Sequence, residues 1–145
     1  GDSMVAMLNH TTVDGIPIQE LLKKGELSKT DLNQIVDRTK KGGAEIVKYL
    51  EKGSAFYAPA AAGVEMAESY LKDLKKILPC AAYLNGEYGV KNIYAGVPVV
   101  IGKNGVEKIN IIELSQDEKK NFSNSIKSVE ELFEAAKKID SSLNS

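Results

Sequence analysis

Cys80-Ala81-Ala82-Tyr83-Leu84-Asn85-Gly86, answered by Val97-Pro98-Val99-Val100-Ile101 and the turn Lys103-Asn104-Gly105, is the stretch that decides how this chain folds. Residues 80–84 and 97–101 are apolar and partly β-branched, which is the composition of strands, while Asn85-Gly86 and Lys103-Asn104-Gly105 are turn signals. Residues 106–114 supply a matching return strand. The expectation is an antiparallel meander of about three strands.

Helical patterns flank the meander on both sides. Upstream, Ser28 followed by Asp31 forms a capping box with Asp in place of Glu, and Leu32, Ile35, Val36 and Thr39 recur at helical spacing. Gly42-Gly43 weakens the middle of that helix, but Ile46, Val47 and Leu50 continue the face in phase. One helix to about Lys52 is expected, kinked at glycines that let another backbone approach closely. After Gly53, Ala58-Pro59-Ala60-Ala61-Ala62 opens a further helix with Val64, Ala67, Leu71, Leu74 and Leu78 on its apolar face. Lys72, Lys75 and Lys76 complement its dipole near the end, and Pro79 stops it. Downstream, Ser115 with Glu118 is a second capping box, and Phe122, Ile126, Val129, Phe133 and Ala136 mark a long C-terminal helix. At the other end, residues 4–13 read as an extended segment to a turn at Asp14-Gly15, followed by a helical turn or two over residues 19–24 that Gly25 ends. The sum is an α+β fold.

The composition narrows the function classes. At 145 residues with 43% hydrophobic content, one globular domain over 1–145 is the expectation. A net charge of -1 with 27% charged residues argues against a nucleic-acid partner. No apolar run reaches the length of a membrane helix and no secretion signal opens the chain, so a soluble, cytoplasmic protein is expected. The chain opens at Gly1 without an initiator methionine, which is expected of a processed, proteolysed or truncated chain. Cys80 is the single cysteine and no histidine cluster accompanies it, so no metal site is expected.

Obvious catalytic devices are missing. No Gly-x-Gly-x-x-Gly follows a strand, so the cofactor fold is not in these residues, and Gly102-Lys103-Asn104-Gly105 reads as a hairpin turn rather than a phosphate loop. Arg38, the one side chain able to fork onto a carboxylate, sits mid-helix among charges and reads as solvated or salt-bridged. His10 has no nucleophile near it and reads as a surface histidine. Cys80 reads as a buried small apolar side chain.

Several blocks, in order and in register, resemble one family. Gly1-Asp2-Ser3-Met4-Val5 is similar to the segment that directly follows the catalytic histidine of lactate and malate dehydrogenases. Thr12-Val13-Asp14-Gly15-Ile16-Pro17, Gly42-Gly43-Ala44-Glu45-Ile46-Val47, Gly53-Ser54-Ala55-Phe56-Tyr57-Ala58-Pro59-Ala60 and Met66-Ala67-Glu68-Ser69-Tyr70 resemble further blocks. So do Leu78 to Gly89 and Gly96 to Gly102. The chain thus resembles the lactate/malate dehydrogenase family from Gly1 to about Ile139, and within it the lactate-dehydrogenase-like malate enzymes of bacteria.

The resemblance implies a substrate-side C-terminal domain, long helices on an antiparallel meander, with an N-terminal NAD-binding domain as its partner ahead of Gly1. It implies NAD as the cofactor and malate and oxaloacetate as substrates of the full-length enzyme, with a homo-oligomer, dimer or tetramer, as the assembly. The histidine that carries the proton would immediately precede Gly1, so no catalytic residue falls in this chain, and the 145 residues alone are expected to bind no cofactor and to be inactive. Ser54 and Ala55 would face the substrate as pocket wall, and Pro59 would approach the nicotinamide. Gly53 as a helix C-cap and Pro59 as the first helical residue are the structural roles of the same positions. Asp2 and Ser3 resemble support for the missing histidine, or form a plain turn. Lactate enzymes carry Tyr-Thr where this chain has Ser54-Ala55; small residues leave room for the second carboxylate of oxaloacetate, which favours malate over lactate. The alternatives are the C-terminal half of an L-lactate dehydrogenase, or a noncatalytic fragment that self-associates through the apolar face of the helix over 58–78.

Overall fold

The computed structural model describes residues 3–144. They divide between two compact units, Gly1–Ala55 with Leu114–Ser125 and Phe56–Glu113 with Ile126–Ser145.

In the first unit, β1 (Thr12–Val13) and β2 (Ile16–Pro17) pair antiparallel across Asp14 and Gly15. Both turn residues take positive φ, 49° and 81°, the geometry a two-residue hairpin demands. The segment before it is not extended throughout. Leu8–His10 is a short 3₁₀ turn, because the Met7 carbonyl accepts both the His10 N–H and the Thr11 hydroxyl. Helix α1 (Ile18–Lys24) buries Ile18 and ends at Gly25, whose φ of 74° lets its N–H turn back to the Leu21 and Leu22 carbonyls.

Helix α2 (Lys29–Leu50) starts where its capping residue places it: the Ser28 hydroxyl accepts from the Asp31 N–H at 3.0 Å. It stays helical through Gly42 and Gly43. No neighbouring atom lies within 4 Å of where either glycine's Cβ would stand, so the close approach expected there is not made among the described residues. The helix is capped by Glu51 at φ 58°, two residues before Gly53, which corrects the expected C-cap. Along its apolar stripe Leu32 is buried, whereas Ile35, Ile46, Val47 and Leu50 are exposed.

The second unit holds α3 (Tyr57–Leu71), β3 (Lys76–Asn85), β4 (Lys91–Gly102) and β5 (Gly105–Ile109). The strands form one antiparallel sheet in the order β3-β4-β5, the expected meander. The helix expected to reach Leu78 stops at Leu71 instead. Asp73 and Lys75 take positive φ, 50° and 54°, and turn the chain into β3. From there the period is two: Cys80, Ala82 and Leu84 are buried while Ala81, Tyr83 and Asn85 are exposed. Leu74 and Leu78 kept the helical spacing by coincidence. Pro79, expected as a helix stop, lies within the strand directly opposite Pro98. Two prolines can face each other only at a pair where neither N–H is needed across the gap, and the Pro98 carbonyl is used on the other side by the Asn110 N–H at 2.8 Å.

Leu84, near the end of β3, and Val99, within β4, are fully buried on this sheet. Ser69, the one buried residue of α3, fastens the helix to it: its hydroxyl donates to the Ile101 carbonyl at 2.7 Å and accepts from the Lys76 N–H at 3.2 Å. Strand β5 ends at Ile109 rather than Leu114. Beyond it the Tyr88 hydroxyl takes the place of a strand neighbour, accepting from the Ile112 N–H and donating to the Asn110 carbonyl.

Helix α4 (Gln116–Ile139) begins at the predicted capping box, with the Glu118 carboxylate accepting from the Ser115 N–H at 2.8 Å and the Ser115 hydroxyl accepting from the Glu118 N–H at 3.3 Å. Leu114, Glu118 and Phe122 are buried in the first unit and Ile126 in the second. The fold is α+β, as expected.

Candidate functional site

The pocket-wall candidates close the first unit. Ser54 and Ala55 follow Gly53, whose φ of 96° is open to glycine and strained for other residues. Neither belongs to a helix or strand; Ser54 is exposed and Ala55 half-buried. Short side chains on an irregular segment offer a surface with little bulk and a single hydroxyl.

Pro59 opens the second unit with α3. It is the third helical residue rather than the first, since Phe56 is the N-cap and its carbonyl accepts the Ala60 N–H at 2.9 Å. A proline there sacrifices nothing, because the first N–H groups of a helix have no intrahelical acceptor. Ala58, Pro59, Ala60, Ala61, Ala62 and Gly63 are all exposed, so the first turns present small groups with little bulk. Phe56 and Tyr57 stand before them, stacked at 4.6 Å between ring centroids and both exposed, Tyr57 at 82%. The sequence had marked them only as part of a block, because an exposed aromatic is indistinguishable from a buried one by residue type.

Ser3 is exposed in a turn. Asp2, its companion candidate, lies outside the described residues.

The remaining reactive side chains do structural work. Arg38 makes a two-point contact with Glu45, Nε to Oε2 at 3.2 Å and Nη2 to Oε1 at 2.9 Å, the salt-bridged role expected of it. That hydrogen bond and charge hold the guanidinium's pKa up and the Glu45 carboxyl's down. The pair sits in an open groove of about 460 Å³ on α2, beside Ile35, Ile46 and Tyr49, with its charges already satisfied. Cys80 is buried and burial pushes its thiol up, the opposite of an activated nucleophile. His10 is exposed at the end of the Leu8–His10 turn. Gly102 and Gly105 face each other across a two-residue hairpin turn, as expected. There Glu107 accepts from Lys75 at 2.8 Å and from Asn104 at 3.1 Å, and Asp73 accepts from the Lys103 N–H at 2.9 Å. Among the described residues no helix is long and apolar enough to cross a membrane.

One polar contact had no local signal at all: the buried Glu118 carboxylate also accepts from the Asn9 side chain at 3.3 Å, across 109 positions of sequence.

The family described as lactate/malate dehydrogenase, alpha/beta C-terminal domain, matches residues 1–140. The malate dehydrogenase of Pelagibacter ubique (strain HTCC1062) is 62% identical over 144 residues, covering 99% of this chain and 45% of the relative. That of Caulobacter vibrioides (strain NA1000 / CB15N) is 57% identical over 143 residues, covering 99% and 45%. Among solved structures, Cryptosporidium parvum malate dehydrogenase matches with a TM-score of 0.92 at 46% identity, over 95% of this chain and 44% of that one. The lactate dehydrogenase of Eimeria maxima with NADH and oxamate matches with a TM-score of 0.92 at 45% identity, over 97% and 44%. The chain therefore spans less than half the length of these relatives. By this match, which covers residues 1–140, the chain belongs to the lactate/malate dehydrogenase family as its alpha/beta C-terminal domain.

Proposed function

We propose that residues 1–145 act as one C-terminal, substrate-side domain of a malate dehydrogenase, which interconverts (S)-malate and oxaloacetate with NAD in the full-length protein. The observation that carries this is the identity of 62% and 57% to two malate dehydrogenases across 99% of the chain. The fold does not separate malate from lactate, since a lactate dehydrogenase matches with the same TM-score of 0.92. The pocket wall supports malate: Ser54 and Ala55 are small where lactate enzymes carry Tyr-Thr, and a pocket contact of that size shifts preference by about 1–3 kcal/mol.

In this reading Ser54 and Ala55 line the substrate's second carboxylate, and the low-bulk turn around Pro59 lies against the nicotinamide and keeps water from it. The exposed, low-bulk first turns of α3 fit a planar ring. NAD supplies the hydride acceptor when bound. Ser3, with Asp2, supports a histidine placed ahead of Gly1, and that histidine, its orienting carboxylate and the substrate-binding arginines belong to the cofactor-side half. The partner is that NAD-binding domain, in a cytoplasmic homo-oligomer, dimer or tetramer; the exposed apolar stripe of α2 and the exposed apolar residues of α3 support a need for partners. The same exposure favours the second reading, a noncatalytic self-associating fragment.

Oxaloacetate-dependent oxidation of NADH separates the two. The protein expressed from its complete reading frame is expected to turn over, and the 145 residues alone are expected to be silent, since positioning of both reactants is lost. A complete protein without activity, or turnover by the 145 residues alone, overturns the proposal.

A further inference from the structure

Helix α2 carries a finer pattern within its apolar stripe. Ile35, Thr39, Gly42, Ile46 and Tyr49 follow one another at steps of four, three, four and three residues, the spacing of a seam along which two helices pack side by side. All five line one open groove of about 460 Å³, and Ile35, Ile46 and Tyr49 are exposed. The two members that are not large and apolar suit the seam as well. The Thr39 hydroxyl donates to the Ile35 carbonyl at 2.7 Å, so packing against it strands no polar group. No atom stands within 4 Å of where a Cβ on Gly42 would be, which leaves room for a second backbone to come close.

The charges beside the seam say what fits it. Arg38 and Glu45 each directly precede a seam residue, Thr39 and Ile46, and so flank the seam on the same side. They are seven residues apart, beyond the three or four of ordinary helix neighbours, yet they reach each other at 2.9 Å and leave the space at Gly42 open. A second α2 laid antiparallel, with a two-fold axis level with the peptide between Lys40 and Lys41, brings Ile35 level with Ile46 of the second copy and Thr39 level with its Gly42. On the flank, Arg38 then stands within about 3 Å, along the axis, of Glu45 of the second copy, and symmetry repeats the pair. A parallel arrangement would instead set Arg38 beside Gly43 and Glu45 beside Leu50, with no charge to meet. The order of signs complements its own reversal, and a second copy of this chain is the partner that supplies that reversal.

We propose that α2 is a self-association surface: two copies pack antiparallel along this seam, and each Arg38 exchanges its own Glu45 for the Glu45 of the other copy. This rests on the homo-oligomer of the proposed function and names one of its surfaces. The exchange keeps both charges paired while Ile35 and Ile46 leave water, so the apolar gain is not offset by a stranded ion.

The test is sedimentation of the protein expressed from its complete reading frame, at a concentration where the parent is associated. Arg38→Glu and Glu45→Arg each set like charges across the seam, and each alone should sediment at about half the parent's mass. An equimolar mixture of the two should recover the parent's mass, because one copy then carries two acids at these positions and the other two bases. A pair that matters only within its own chain predicts no recovery, since neither variant regains an internal partner on mixing. The Arg38 side chain is 79% exposed, so its exchange leaves the fold intact. Disulfide trapping with oxidised glutathione reads the register. Ile35→Cys/Ile46→Cys should give a covalent dimer, and either single variant should not, its twin lying about 16 Å away along the seam. The same spacing within one helix forbids an internal bridge, and Cys80 is buried. An unchanged mass in both charge variants, no recovery on mixing, or trapping by a single cysteine would each overturn the inference. A monomeric parent overturns the homo-oligomer of the proposed function along with it, whereas an associated parent indifferent to Arg38→Glu overturns the α2 seam alone.

Discussion

The sheet of β3 and β4 and the helix α2 carry clear apolar patterns and meet different fates. Along β3 and β4 the inward positions are covered: Leu84 and Val99 are fully buried and Val97 is 3% exposed. Along α2 the positions in phase, Ile35, Ile46, Val47 and Leu50, stay exposed, as do Val64, Met66 and Leu71 of α3. A periodic apolar face reports that an element needs cover; it does not say which residues supply it. For the sheet the cover is within these residues. For the helix faces it is not found among the described residues, which agrees with a chain spanning less than half of its relatives' length.

The contrast can be broken by large-to-small substitution in the 145-residue chain. Leu84→Ala, at a fully buried site, should cost about 2–5 kcal/mol in chemical denaturation. Leu71→Ala, at a site 78% exposed, should stay within about 0.5 kcal/mol. Equal losses would show that α3 is covered after all. Repeating Leu71→Ala in the protein from the complete reading frame sharpens the point, since its cost should rise there.

A smaller effect is expected where the sheet is closed by charges. A Cβ on Gly102 would stand 2.6 Å from Glu107 Oε1 and 2.8 Å from Asp73 Oδ1. Gly102→Ala must therefore displace the carboxylates that hold Lys75 and the Lys103 N–H. A loss of about 1–3 kcal/mol follows from overpacking of this kind, and a thermal melt unchanged from the parent would show that the two carboxylates move aside freely.

The least effect concerns acid. The Glu107 carboxyl is lowered by its hydrogen bond from Lys75, and Asp73 by the bond from the Lys103 backbone. Burial pushes Glu118 up, but bonds from Ser115 and Asn9 outweigh it and leave it lowered as well. A carboxyl lowered on folding stabilises fully above its unfolded value, near about 4.3 for glutamate and 3.9 for aspartate, and that contribution is lost as pH falls through the folded value. The melting temperature should thus hold steady from neutrality to about pH 5 and decline below it, and Glu118→Gln should make the acid decline shallower. A steeper decline in Glu118→Gln would mean that the carboxyl is raised in the fold.

Much of this was legible in the residues because the signals are local. Ser28 with Asp31 and Ser115 with Glu118 cap the helices they announce, Gly25 ends α1, and Asp14-Gly15 turns the first hairpin. The misreadings have one cause, a local pattern overruled by something not local. Leu74 and Leu78 fit a helix until positive φ at Asp73 and Lys75 turned the chain, and Pro79 looked like a stop until Pro98 faced it. The return strand ended early because the distant Tyr88 hydroxyl claims the Asn110 carbonyl and the Ile112 N–H. Of the candidate site, the Gly53 to Pro59 block was visible as a resemblance, while the grip of Glu118 on Asn9 lies across 109 positions and leaves no mark in either neighbourhood.

Substrate preference puts the assignment at greatest risk. With the protein expressed from its complete reading frame, kcat/KM should be measured for oxaloacetate and for pyruvate against NADH. A small wall at Ser54 and Ala55 predicts oxaloacetate ahead by at least about tenfold; pyruvate used as well or better would contradict the account.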